Sequence, residues 1–184
     1  STFAAHIIIG IIFGILGSLL IYNTALFFSI RERWLFYLLC TIVSAAIYVV
    51  VSANIVPLFY DAPSIFGVLT LIGILLFTRA FLRTPKRLPL VNLLLIIHIT
   101  VLPLGIIIHL FDAFSFLDTF HSITVISAMG SMLAGGVIVA IRGERQAWGF
   151  IAAFVLFCGG VVTSQLNQFG VRYGGATFFL SRAE

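Results

Sequence analysis

Runs of about twenty apolar residues follow one another along this chain, broken by short stretches that are charged or contain Pro and Gly. Twenty residues of helix is the length needed to cross about 30 Å of hydrocarbon. Read between the breaks, the runs predict six membrane-spanning helices near residues 6–28, 34–54, 64–82, 90–111, 119–141 and 147–168. The fold class expected is all-α, a polytopic transmembrane helical bundle, with residues 1–184 forming a single transmembrane domain.

Composition removes the alternatives. Hydrophobic residues make up 61% of the chain and charged residues 9%, and mean hydropathy is +1.22. A soluble domain carries about 25% charged residues, so this chain has too few to clothe a water-exposed surface. A soluble enzyme is excluded on that ground. Cys40 and Cys158 lie inside apolar runs and are expected to be small packing residues rather than a disulfide or redox pair. The sequence pI of about 9.5 does not imply nucleic acid, because the basic residues flank apolar runs and act as topology signals.

Those residues are unevenly placed. Arg31 and Arg33 follow the first span, Arg79, Arg83, Lys86 and Arg87 surround the end of the third, and Arg142 and Arg145 follow the fifth. The alternate loops, 55–63 and 112–118, carry instead Pro57, Asp61 and Pro63, then Asp112 and Asp118. Eight of ten Lys and Arg thus fall on one side, which the bias of short loops makes cytoplasmic. The N-terminus is then outside. Residues 1–5 contain no signal peptide, so an exported segment is expected ahead of Ser1. Six spans also leave 169–184 outside with Arg172 and Arg182, so the chain is expected to be either a fragment or a protein without its own intracellular effector. Trp34, Tyr37, Tyr60, Trp148 and Tyr173 lie at span ends, as an interfacial aromatic belt requires. The 19 Phe are assigned to packing and lipid contact.

Three stretches carry a resemblance. The first span runs GIIFGILGSLLIYNTALFFSIRERWLFYLL into the second, the third ends LLFTRAFLRTPKRLP, and the sixth runs from IRGERQAWGFIAAFVLFCGG through SQLNQFGV. The most specific elements are Tyr22-Asn23 followed by Phe27 and Arg31, Phe77-Thr78-Arg79 with Phe81 and Leu82, and the basic turn Arg142-Gly143 ahead of Ala147. In order and spacing these resemble the membrane region of the bacterial seven-transmembrane receptors with diverse intracellular signalling modules, over essentially residues 6–184. The resemblance implies an extracytoplasmic sensory domain before the spans. It also implies a cytoplasmic output module, such as a diguanylate cyclase, histidine kinase or phosphatase, after a seventh span. That seventh helix is expected to begin about where the sequence stops at FFLSRAE.

Polar groups at membrane depth are the candidate functional residues. Arg79 lies about one turn inside the cytoplasmic boundary; either its stem snorkels to the headgroups, or it pairs with Glu32 or with carbonyls of a neighbouring helix in a contact that differs between signalling states. Asn23 is expected to make an interhelical hydrogen bond. Gly10, Gly14 and Ser18 place small residues on one face of the first span, for close packing within the chain or for homodimerisation. Gly130, Gly135 and Gly136, with Ser127 and Ser131, suggest another close helix contact. Pro103 and Gly105 suggest a kink, static or hinge-like.

His98 and His109 are eleven residues apart, about 16 Å along a helix, too far to share one haem. His98 is expected to be a buried hydrogen-bonding residue. His6, His109, His121, Asp112 and Asp118 gather at the outer boundary, where they could hold a transition metal or make a pH-responsive contact, or serve as solvated caps. No helical HxxxH spacing supports a metal, and no cofactor is expected.

The reading is a signal-relay domain coupling a sensory domain outside to an effector inside, without catalysis of its own. Its partners would be the bilayer, those two modules, and a second copy or a larger membrane complex. Its rival is a structural or accessory subunit of such a complex. A small transporter would need inverted repeats, and residues 6–83 and 90–168 show none.

Overall fold

In the computed structural model of the chain, the described residues are 2–52, 62–110 and 116–155. Helix is their only regular structure. The helices are α1 (Thr2–Ile30), α2 (Arg33–Ser52), α3 (Ala62–Phe81), a single turn α4 (Thr84–Arg87), α5 (Pro89–Leu110), α6 (Phe116–Ile141) and α7, residues 145–155. Five contain apolar stretches long enough to cross a membrane, namely Gly10–Ile30, Arg33–Ser52, Ser64–Phe81, Pro89–Ile107 and Ser122–Ile141. They fall on the first five expected spans, and α7 is the start of the sixth. The second half of that span, residues 169–184 and the expected start of a seventh helix lie outside the described residues.

Lipid gives the backbone no hydrogen-bonding partner, so each segment closes its own bonds as a helix. Side-chain hydroxyls do the same. Ser18, Thr24, Ser29, Thr41, Thr70 and Ser131 each donate to the carbonyl four residues back, at 2.6–2.9 Å. This leaves few polar groups facing hydrocarbon uncompensated.

The core lies among α3, α5, α6 and α7. Leu71, Leu75 and Leu82 meet Val91, Leu95 and Leu102, then Val125, Ala128, Met132 and Val139, with Ala147, Phe150 and Phe154 closing one side. Steps of three, four and seven give each helix one inward stripe. Outward lie Ile11, Ile15, Leu90, Leu93, Ile123 and Ile141, all exposed in the protein and suited to lipid. Cys40 is also exposed, so it faces out from α2 instead of packing inside.

Close approach occurs at three glycines. A β-carbon on Gly73 would collide with Thr41 Oγ1 and come within 3.2 Å of Thr41 Cα, which is how α2 seats against α3. On α6, Gly135 would meet Val91 at 3.0 Å and Gly136 would meet Phe150 at 2.9 Å, so the expected close contact of this helix is real. Gly130 has open space around it. The chain remains helical through Pro103, which has no N–H to offer the Ile99 carbonyl.

Each of the three turns at the basic end is made by a left-handed residue. Arg31 has φ 55°, and its N–H reaches the Phe27 carbonyl at 2.8 Å, an αL helix end. Arg83 has φ 50° and ends α3. Gly143, φ 94°, closes α6 in a Schellman pair, its N–H on Ala140 and that of Glu144 on Val139. The two arginines hold a conformation that costs a residue with a β-carbon about 1 kcal/mol.

Candidate functional site at the basic end of the bundle

The three turns come together. Arg87 of α4 and Glu144 of the α6–α7 turn form an ion pair at 2.6 Å, and Arg142 Nη1 donates to the Arg87 carbonyl at 2.9 Å. The Arg87 and Glu144 side chains are 36% and 43% exposed, so the pair adds little stability. Its value is positional, tying the α3–α5 connection to the α6–α7 turn. Ile30, Glu32 and Trp34 complete the ring, and an open recess of about 410 Å³ lies between them and Arg83, Arg87, Glu144 and Gln146.

An aromatic cluster lies beneath that recess. Trp34 of α2 packs edge-on against Phe77 at 6.2 Å and Phe81 at 5.5 Å. Phe77 and Phe81 stack on one another at 5.3 Å, and both meet Phe150 of α7, which stacks in turn on Phe154. Two of the motif residues behind the resemblance, Phe77 and Phe81, are therefore the hub through which α2, α3 and α7 touch. Composition alone marks none of the 19 Phe for this place.

Arg79 turns toward α5. Its Nε donates to Asn92 Oδ1 at 2.6 Å, and the Thr84 hydroxyl lies 3.4 Å from the same oxygen. The expected partner Glu32 is elsewhere: the α3 residues that share its recess are Ala80 and Phe81, leading on to Leu82 and Arg83. Asn92 is thus the partner that sequence reasoning passed over. Its signal is a single amide one turn into an otherwise apolar run, LPLVNLLLII. Next to Arg79, Thr78 is 0% exposed, and its hydroxyl has no hydrogen-bond partner among the described residues.

The Tyr22-Asn23 pair does not join this group. Tyr22 is 63% exposed on the outer surface of α1. Asn23 is buried, but its amide donates to the Leu19 carbonyl of its own helix at 2.8 Å instead of crossing to another. Gly10, Gly14 and Gly17 have open space where a side chain would stand, so among the described residues no helix covers that face.

His98 is buried, as expected, and links α5 to α6. Its Nδ1 is 2.7 Å from the Leu94 carbonyl and its Nε2 2.8 Å from Ser127 Oγ. The Leu94 carbonyl can only accept, so Nδ1 donates to it, while the Ser127 hydroxyl that meets Nε2 also reaches the Thr124 carbonyl at 3.0 Å. His6, His109, His121 and Asp118 lie on α1, α5 and α6 toward the end opposite the basic turns. Asp112 lies outside the described residues, and so do Cys158, Tyr60 and Tyr173. Among the described residues no three His, Cys, Asp or Glu stand close enough to hold a metal ion.

A tilt of α3 would act at once on the aromatic hub, the Arg79–Asn92 bond and the turn held by Arg87 and Glu144. A family model described as 7TM diverse intracellular signalling matches residues 5–182. No curated protein and no solved structure matches the chain.

Proposed function

We propose, from the premise that the chain belongs to the 7TM diverse intracellular signalling family, that this bundle carries a signal from an extracytoplasmic sensory domain to a cytoplasmic output module. Membership makes the chain part of a multi-pass membrane receptor for signalling; the two modules and the direction of transfer are our reading. The match over residues 5–182 is the observation that carries it.

The gathered turns support the orientation. Seven of the basic residues, Arg31, Arg33, Arg83, Lys86, Arg87, Arg142 and Arg145, lie in or beside the three turns at one end of the bundle, against Glu32 and Glu144. By the positive-inside rule that end faces the cytoplasm of a bacterial inner membrane, with the start of α1 at the periplasmic face.

The relay works between two packings of the helices. A ligand outside shifts the balance only by as much as it binds one packing more tightly than the other. α3 is the proposed moving part, because it contacts α2, α5 and α6 and ends in the polar and aromatic cluster. The bundle performs no chemistry itself; catalysis belongs to the output module.

Output activity of the full-length receptor in native membranes tests this. Arg79→Ala and Asn92→Ala each remove the same bond, so both are expected to shift basal output in the same direction while membrane levels stay constant. The double variant should add little, as expected for two residues that act through one contact. Output at the parental level in all three variants would count against a relay through α3.

A further inference from the structure

We infer that Arg79, which bonds from α3 to Asn92 of α5, binds the phosphate of an anionic phospholipid headgroup. Arg79 lies inside the membrane-crossing stretch Ser64–Phe81, in the last turn of α3. A guanidinium there is permanently charged and needs a counter-charge. The partner it has among the described residues is the Asn92 amide oxygen, which is neutral. Neither nearby acidic group is bonded to Arg79: Glu144 pairs with Arg87, and Glu32 lines the recess with Ala80 and Phe81.

The bond to Asn92 also prepares the site. It uses one of five N–H donors and holds the group by its Nε, leaving the two terminal amino groups as a fork. Such a fork matches two oxygens of a phosphate. In the turn that follows, Arg83 and Lys86 are exposed and add positive charge that no described carboxylate answers. At the edge of the hydrocarbon the anions at hand are lipid phosphates, and basic pockets between helices on the cytoplasmic side take anionic headgroups. The inference stands apart from the signalling proposal, because it concerns the charge of Arg79 and not the output.

The full chain, reconstituted in phosphatidylcholine nanodiscs containing phosphatidylglycerol and then released for native mass spectrometry, gives the retained anionic lipid directly. Arg79→Gln is expected to lower retention about fivefold, the effect of losing one basic contact to an anionic surface. Asn92→Asp should do the same while leaving thermal stability in pure phosphatidylcholine intact, since it gives Arg79 a counter-ion of its own. Arg145→Gln, an exposed residue at the start of α7 whose charge is screened by water and salt, should change retention by less than about twofold. Parental retention in both Arg79→Gln and Asn92→Asp overturns the site. An equal loss in Arg145→Gln overturns it too, because the lipid would then be held by the whole basic face. Displacement of the lipid by millimolar inorganic phosphate would make this a small-anion site and not a headgroup site.

Discussion

Gly73→Leu is expected to abolish the folded bundle. Any side chain at this position drives into Thr41 of α2, where even a β-carbon would collide with Thr41 Oγ1. Thr41 cannot swing clear easily, because its Oγ1 is bonded to the Tyr37 carbonyl at 2.8 Å and its own Cα stands behind it. The α2–α3 pairing, the most extensive in the bundle, must therefore open. Overpacking of a well-fitted core costs about 1–3 kcal/mol even when the backbone can shift, and a whole isobutyl group at a backbone contact exceeds that. The readout is the fraction of monodisperse protein recovered in mild detergent and its thermal midpoint. Gly10→Leu is the control: its β-carbon meets nothing within 4 Å, so it should behave as the parent. A loss at Gly10 comparable to that at Gly73 would mean that a second chain covers the α1 face.

The second large effect is expected at Phe77. Its ring touches Trp34, Phe81 and Phe150, so Phe77→Ala opens a gap where α2, α3 and α7 meet. Large-to-small changes of aromatic residues in cores cost about 3–5 kcal/mol. Phe77 is only partly buried, and between membrane helices packing acts without the water-driven part, so about 2 kcal/mol is the expected destabilisation. Phe28→Ala, at a ring 70% exposed, should change the thermal midpoint hardly at all. Equal shifts for the two would remove Phe77 from its place as a hub. In the full-length receptor Phe77→Ala should also move basal output.

How much of this is legible in the sequence follows from what each feature depends on. Span positions depend on length and polarity, which are local, and α1, α2, α3, α5 and α6 begin and end within a few residues of the expected runs. The basic turns are legible for the same reason, and so is the glycine that ends α6. Helix partners depend on which face meets which neighbour, and an almost uniformly apolar helix carries no polar face to reveal it. The spacing Gly10-Gly14-Ser18 looks like a packing face and is open, whereas Gly73, with no small-residue pattern around it, makes a close contact. Arg79 illustrates the same limit. Its charge marks it out in the sequence, but its partner Asn92 lies thirteen residues on, beyond the α4 turn, and only the fold brings the two within 2.6 Å. Asn23 errs in the opposite direction: expected to bond across to another helix, it donates its amide within α1, to the Leu19 carbonyl.

The proposed direction of signalling requires the three basic turns to share the cytoplasmic face. Single cysteines at Glu32, Lys86 and Gln146, in a chain with Cys40 and Cys158 replaced by Ala, report it through a membrane-impermeant maleimide applied to intact cells. All three are expected to stay unlabelled until the membrane is permeabilised, while a cysteine at Ser115 reacts from outside. Labelling of any of the three turns in sealed cells would contradict the topology, and with it the direction in which this bundle is read to carry a signal.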